Sequence, residues 1–168
     1  MATVHGQAVG HGQNSTQSSG QAWGQASQII GKTVATTLKG LEKEVGQRTY
    51  RASNQLRNAS IFVLRGTRNG RVYLVPGTKQ HYKASAPGES PANRTGIFRN
   101  SWGTHVHVEK NGVHFRAVAA IESKERAGGH LLGEMLENGT GKMKPRPYKQ
   151  KVIDRALPKI KEIYKKPF

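Results

Sequence analysis

Three histidines in one β-prone stretch are the first residues whose spacing suggests chemistry. His105 and His107 alternate along Thr104–Val108, so they share one face of a strand, and His114 follows the next turn. Imidazole nitrogens are common zinc ligands, so three on one sheet face could form a metal site. No thiol or carboxylate stands at ligand spacing beside them, and the polar outer face of a half-buried sheet explains the pattern without a metal. We therefore predict neither a metal site nor a cofactor.

The acidic residues offer little for acid–base catalysis. The chain has 10 Asp and Glu, and Glu134 and Glu137 are neighbours on a predicted helix, where a solvated face is the commoner role. Gly139–Lys142 has the look of a phosphate loop. It lacks the G-x-x-x-x-G-K-[ST] spacing, however, and it places Met143 where the Mg²⁺-binding hydroxyl belongs. The sequence predicts no catalytic residues and no enzymatic activity.

The charge balance indicates acidic partners. The chain has 27 Lys and Arg against 10 Asp and Glu, a formal net charge of +17. Such a charge favours nucleic acid, an anionic membrane or an acidic protein surface as partner. Basic and aromatic residues alternate around Arg71–Tyr73, Lys79–Lys83 and Lys142–Lys151, which could build a surface that follows phosphates. A basic nucleic-acid-binding protein without enzymatic activity is therefore an alternative function.

Absent features narrow the class of protein further. The sequence contains no cysteine, which excludes disulfides and zinc–thiolate sites and fits a reducing cytoplasm. No segment approaches the roughly 20 apolar residues of a membrane span, and no signal-peptide pattern is present, so we expect no membrane partner. Hydrophobic residues make up only 35% of the chain, so we expect part of it to pack against another subunit.

Residues 1–24 differ in composition from the rest of the chain. They contain no Lys, Arg, Asp or Glu and are dominated by Gly, Gln, Ser and His. So little apolar surface cannot offset the entropy lost on ordering, so we predict a flexible arm at 1–24 and a single α+β domain at 25–168. Trp23 is the large anchor of this arm. We expect the arm to extend along a neighbouring subunit, with Trp23 buried near its root.

Hydrophobic periodicity and turn residues define the elements of the domain. In chain order we predict a long helix at 25–59, a hairpin at 60–82 with its turn at Asn69–Gly70, a Pro-rich loop at 83–93, an antiparallel meander at 94–121, a charged loop at 122–129, a short helix from Leu131 and a C-terminal helix from Lys149 to Lys166. The first arm of the hairpin could instead continue the long helix. Pro158 is expected to kink or split the last helix.

Two parts of the sequence resemble a known family. Ala86–Ser101, APGESPANRTGIFRNS, is similar to the "AP…P…TG.LR.S" signature of a tailed-phage morphogenesis family, whose members are usually called head–tail connector, neck or tail-completion proteins. Leu136–Thr140 resembles the family's "EFGT" element, and Lys144–Tyr148 resembles its "M..RPF…A" ending. The resemblance covers roughly residues 25–165. The family's order of long helix, antiparallel sheet, "GT" turn and C-terminal helix matches the predicted elements.

The resemblance implies a structural virion protein without enzymatic activity. It implies a subunit of the phage head–tail junction that forms a homo-oligomeric ring, a hexamer more readily than a dodecamer. The implied partners are neighbouring head-connector and tail proteins, and genomic DNA that passes through without sequence-specific binding. The implied location is the virion, reached from the host cytoplasm during assembly.

The resemblance also assigns structural roles to the motif residues. Thr95–Gly96 would turn the Pro-rich loop into the first strand of the sheet, and Trp102 with Phe115 would anchor the sheet on the long helix. Gly139 would provide a tight turn, and the two prolines after it would aim the last helix. The motif residues are Arg94, Thr95, Gly96, Trp102, Glu137, Gly139, Thr140, Pro145 and Pro147. Arg94 departs from the family, which often has Asp at that position, and Asn138 stands where it often has an aromatic residue.

Overall fold

A computed structural model of the chain describes residues 14–167, with side chains described from residue 21 onward. The elements are α1 Asn14–Arg65, β1 Val72–Leu74, β2 His81–Lys83, α2 Ile97–Asn100, β3 Trp102–Asn111, β4 His114–Ser123, β5 Arg126–Ala127, β6 His130–Leu131, α3 Leu132–Asn138 and α4 Lys149–Lys165. The predicted α+β class, with a long N-terminal helix, antiparallel strands and a C-terminal helix, is confirmed. Across the described residues, no helix combines the length and the apolar character that a membrane span requires.

The chain divides into two compact units, Met1–Gly40 and Leu41–Phe168. Helix α1 begins at Asn14, so the predicted start of the long helix at residue 25 is wrong, and residues 14–24 are helical. Extending a formed helix gains one hydrogen bond for each residue fixed, so a strong helix can propagate into polar sequence that would not nucleate alone. Residues 1–13 of the predicted arm lie outside the described residues.

The end of α1 also differs from the predicted boundary at residue 59. The helix continues to Arg65, so the first arm of the predicted hairpin is its last turn, with Leu64 only 2% exposed. The observed hairpin pairs β1 with β2 antiparallel, with Tyr73 opposite Tyr82. Its turn contains Gly77 at φ 76°, a conformation that favours glycine. The predicted turn at Asn69–Gly70 is therefore wrong, because these residues connect helix α1 to strand β1.

The predicted alternation around His105 and His107 does form a ribbon. Strands β3 and β4 pair over ten positions, from Trp102 opposite Ser123 to Asn111 opposite His114. The predicted entry from Thr95–Gly96 into a strand is wrong, because Gly96 at φ 82° precedes the one-turn helix α2. Part of the predicted charged loop at 122–129 is strand as well, since β4 ends at Ser123 and β5 pairs with β6.

The later part of α1 packs against both the β3–β4 ribbon and α4. The Ser53 hydroxyl donates to the Ala120 carbonyl at 2.8 Å, and Arg57 Nε donates to the Trp102 carbonyl at 2.9 Å. On the α4 side the contact is made by small residues, because the buried cluster contains Ala59 and Ala156. Small side chains at a helix contact allow the backbones to approach closely.

Helix α4 runs from Lys149 to Lys165 with Pro158 inside it, so the proline does not split the helix. Pro158 has no backbone N–H, so the carbonyl four residues earlier in the helix loses its hydrogen-bond donor. Pro158 is exposed to solvent, so water can bind that carbonyl instead. Val152 and Ala156 are buried before the proline, and Ile160 packs against the same cluster after it. Packing on both sides of Pro158 therefore keeps α4 in one piece.

Candidate functional site

The two segments that carry the family resemblance contact each other directly. Arg146 Nη1 donates to the carbonyl and hydroxyl oxygens of Ser85, and to the Ala86 carbonyl at 3.3 Å. The backbone of Arg146 donates in turn to the Leu136 carbonyl at 2.8 Å. A guanidinium carries several donors in a fixed plane, so this one side chain fixes the start of the Pro-rich loop.

The predicted prolines contribute through their carbonyl oxygens. Gly88 N donates to the Pro145 carbonyl at 3.2 Å, and the Ser90 hydroxyl lies 3.5 Å from the Pro147 carbonyl. Proline has no backbone donor, so at these two positions the backbone can bind the loop only through its carbonyl oxygens. We call the contact between residues 84–93 and 144–148 the loop joint.

Glu89 organises the Pro-rich loop from within. Its carboxylate accepts from the backbone and side-chain nitrogens of Asn69, at 3.1 and 2.7 Å, and from Ala86 N at 2.8 Å. The backbone hydrogen bonds from Asn69 and Ala86 lower the pKa of Glu89, with smaller help from the nearby positive charge of Arg68. The charged form of Glu89 therefore ties the loop to the residues that follow α1.

Arg68 closes the end of α1 against the same loop. Its guanidinium is buried and donates to the Val63 carbonyl at 2.9 Å and to the Pro91 carbonyl at 2.9 and 3.1 Å. Burial lowers the pKa of Arg68, and Glu89 opposes that shift. The last carbonyls of a helix have no partner within the helix, so a cation that binds one of them stabilises the helix end.

Glu137 has a role that the sequence did not indicate. Its Oε2 accepts from Tyr148 N at 2.9 Å and from Lys149 N at 3.2 Å, at the start of α4. A carboxylate at a helix N-terminus satisfies free donors and interacts favourably with the helix dipole. Eleven residues separate Glu137 from Tyr148, so no local capping pattern could have revealed this contact.

The predicted glycine turn brings Glu137 to that helix start. Gly139 has φ 78° and ψ −175°, a region essentially restricted to glycine. A Cβ atom there would lie 2.6 Å from the Met143 carbonyl oxygen and 2.9 Å from Pro145 N. Thr140 and Met143 form an isolated antiparallel bridge that closes the turn.

Three aromatic rings pack against one another at the loop joint. Phe98, Trp102 and Tyr148 meet edge to face, with ring centroids 5.4 to 5.9 Å apart. Tyr148 is 2% exposed, and its hydroxyl donates to the Gly133 carbonyl at 3.3 Å. Burial, together with the nearby carboxylates of α3, holds the pKa of Tyr148 well above its usual range, so it stays a donor. Trp102 thus packs against the buried core cluster. Phe115 is half-buried, and Lys110 Nζ lies 5.9 Å from its ring centroid.

His105 and His107 are exposed on the ribbon, and each lies beside a carboxylate. His105 Nε2 is 3.1 Å from Glu122 Oε2, and His107 Nε2 is 3.0 Å from Glu109 Oε1. His114 is the first residue of β4 and lies opposite Asn111. The expectation that no carboxylate stands nearby is wrong, because strand pairing brings Glu122 to His105. Within residues 14–167 no three potential ligand residues are grouped to hold a metal ion.

Large apolar side chains remain exposed on the first half of α1. Trp23 is 77% exposed, and Ile30 and Val34 are 63% and 49% exposed. The apolar residues that recur every three or four positions from Ile30 to Leu56 form one stripe along α1, and this stripe is covered further along the helix, where Val45 and Ala52 are buried. The apolar stripe that predicted the helix is therefore covered in its later half and open in its earlier half.

The β1–β2 hairpin is a second exposed surface. Val72, Tyr73 and Leu74 are all exposed, and the Tyr73 and Tyr82 rings lie 6.0 Å apart across the two strands. Arg71 and Lys83 flank this tyrosine pair in the sequence. The hairpin is thus one exposed surface on which basic and aromatic residues lie close together in sequence.

The chain shows no significant match to protein-family models, to curated proteins or to solved structures.

Proposed function

We propose that the chain is a structural subunit of a tailed-phage head–tail junction and assembles into a homo-oligomeric ring, a hexamer in preference to a dodecamer. In this role it joins the head connector to the tail and lets genomic DNA pass without reading its sequence. It would reach the virion from the host cytoplasm during assembly. The resemblance of Ala86–Ser101 and Leu136–Tyr148 supports the family, and the open half of the α1 stripe supports assembly.

The open half of the stripe is the observation that carries the proposal. A helix that exposes apolar residues such as Ile30 and Val34 over several turns gains by burying them against a partner. A closed ring covers such a surface in every copy and leaves no free end for further growth. Burial completed between subunits also accounts for the low hydrophobic content of 35%.

The loop joint supports a structural role for the motif residues. Arg146, Glu89 and Glu137 each bind backbone atoms of another segment, so their polar groups hold the chain in shape. Such a joint gives a loop a defined conformation without regular secondary structure. A ring subunit needs loops of fixed shape, because every copy must present the same surface to the next.

The proposal is tested by the oligomeric state of the full chain with charges placed on the stripe. We expect wild-type protein to sediment as a closed oligomer in analytical ultracentrifugation. The double variant Ile30→Glu/Val34→Glu, which places carboxylates on the apolar stripe, should raise the apparent dissociation constant by about tenfold or more.

The matched control is Gln28→Glu/Ala35→Glu, which adds the same two charges to exposed positions of α1 outside the apolar stripe. This control should leave the sedimentation profile unchanged. Equal loss of assembly in both variants would show a general charge effect, and a monomeric wild-type chain would refute ring formation.

The alternative, a basic nucleic-acid-binding protein without enzymatic activity, is favoured by one observation. The Tyr73–Tyr82 pair stands on an exposed hairpin between basic residues, as base-stacking surfaces do. The charge of +17 predicts some attraction to DNA in either case. Sequence dependence and persistence at high salt would distinguish true recognition from this general attraction.

A further inference from the structure

A groove opens beside the loop joint, lined by residues of the second unit between Leu64 and Arg146. Its volume is about 580 Å³, within the roughly 300–1,000 Å³ typical of ligand-sized sites. Its apolar lining includes Leu64, Pro91, Leu132, Leu136 and Met143. The groove can therefore take an apolar side chain together with a short stretch of backbone.

The charged residues that line this groove are mostly basic. Four arginines line it, and among the described lining residues Glu125 is the one acid. The arginines are Arg94, Arg99, Arg126 and Arg146. Arg146 is held by Ser85 and Ala86, whereas Arg94 is exposed. We call this feature the arginine-rimmed groove.

We propose that the arginine-rimmed groove docks an acidic segment of a neighbouring protein that carries an aliphatic or aromatic anchor side chain. The anchor packs on the apolar lining, and carboxylates flank it to pair with arginines such as Arg94 and Arg99. The inference rests on the proposed function in one respect, that the occupant is a neighbouring structural protein.

Charge complementarity selects this occupant over a second copy of the chain. Residues 1–24, the segment expected to reach a neighbour, contain no Asp or Glu and so lack the charge that the rim favours. Nucleic acid offers the charge, but its phosphates gain nothing from contact with side chains such as Leu132 and Met143. An acidic segment with an apolar anchor satisfies both parts of the groove.

The inference is tested by fluorescence anisotropy on the full chain with short labelled peptides. One peptide combines Asp and Glu with a central Leu-Phe pair, a second replaces that pair by Ser-Ser, and a third consists of residues 1–24. We expect the first to bind most tightly, the second to bind at least about tenfold more weakly, and the third not to bind.

Variants of the chain locate the binding. Arg94→Glu/Arg99→Glu should weaken binding of the first peptide by about tenfold or more. The matched control Arg116→Glu/Lys161→Glu changes two exposed cations that do not line the groove, and it should weaken binding by less than about threefold. Ala92→Trp, which fills the groove without changing charge, should also weaken binding, and circular dichroism should show all variants folded.

Several results would overturn the inference. Equal weakening by both charge variants would show nonspecific attraction, and equal binding of the Ser-Ser peptide would show that the apolar lining is unused. Binding of residues 1–24 would make a second copy the occupant, and a DNA oligonucleotide that binds tighter than the first peptide and needs Arg94 would make it nucleic acid. Sedimentation of the same variants separates this inference from the proposed function. Ring formation without peptide binding would refute only the docking role of the groove. Peptide binding without ring formation would refute only the proposed function.

Discussion

At the scale of single residues, charged side chains in the loop joint and next to it act as structural links. Glu89, Arg68, Arg146 and Glu137 each bind backbone groups of a segment distant in sequence. The sequence could not reveal these links, because a charged residue in a polar loop looks the same whether it is solvated or buried. Only the fold shows that Arg68 is buried and that Glu137 meets the start of α4.

The first residue-scale prediction concerns Gly139. Gly139→Ala should lower the free energy of unfolding by about 1–3 kcal/mol from its backbone conformation alone, with a further loss because the new Cβ would meet the Met143 carbonyl. Gly141→Ala is the matched control, since a Cβ there meets nothing within 4 Å, and its effect should stay within about 0.5 kcal/mol. Urea denaturation at fixed protein concentration measures both, and equal effects would contradict the assigned turn.

The second residue-scale prediction concerns pH. The folded-state pKa of Glu89 is lowered, so its carboxylate stabilises the fold at pH values above the ordinary glutamate range, and this contribution is lost as the pH falls through the lowered pKa. Glu89→Gln should therefore reduce the melting temperature at neutral pH, and the gap to wild type should shrink as the pH falls below the ordinary glutamate pKa of about 4.3. Glu162→Gln, at an exposed position of α4, is the control, and a gap that grows on acidification would be the opposite of this expectation.

At the scale of elements, the periodic patterns were the reliable guides. The 3.6-residue stripe predicted α1, and strict alternation around Thr104–Val108 predicted the β3–β4 ribbon. The errors lie at the boundaries of elements, where a local turn motif does not decide which strands pair. Asn69–Gly70 has the residue types of a hairpin turn, yet the strands pair across Pro76–Gly77. Helix ends are equally hard to place, because α1 extends into sequence with little helical signal of its own.

The element-scale prediction concerns the close contact made by α1. Ala52 is 1% exposed, so Ala52→Leu forces extra volume into a packed site and should cost about 1–3 kcal/mol of unfolding free energy. Arg51→Leu adds the same side chain at the preceding position, which is exposed, and should change stability by no more than about 0.5 kcal/mol. A stable Ala52→Leu variant, measured by urea denaturation, would mean that α1 does not approach its neighbours closely there.

At the scale of the whole molecule, the account rests on surfaces that one chain leaves uncovered. The first half of α1 and the β1–β2 hairpin expose large apolar residues, among them Ile30 and Val72. A sequence pattern can show that such a stripe exists, but it cannot show which part of the stripe the chain itself covers. That division became visible only with the fold, and it is the reason for proposing assembly.

Negative-stain electron microscopy of the purified full chain tests this central claim most directly. We predict class averages of closed rings with a central opening and six subunits around it. A twelve-subunit ring would keep the proposed assembly and correct its order. Isolated particles without rings at every protein concentration would contradict the account, and salt-resistant, sequence-dependent DNA binding by such particles would establish the nucleic-acid-binding alternative in its place.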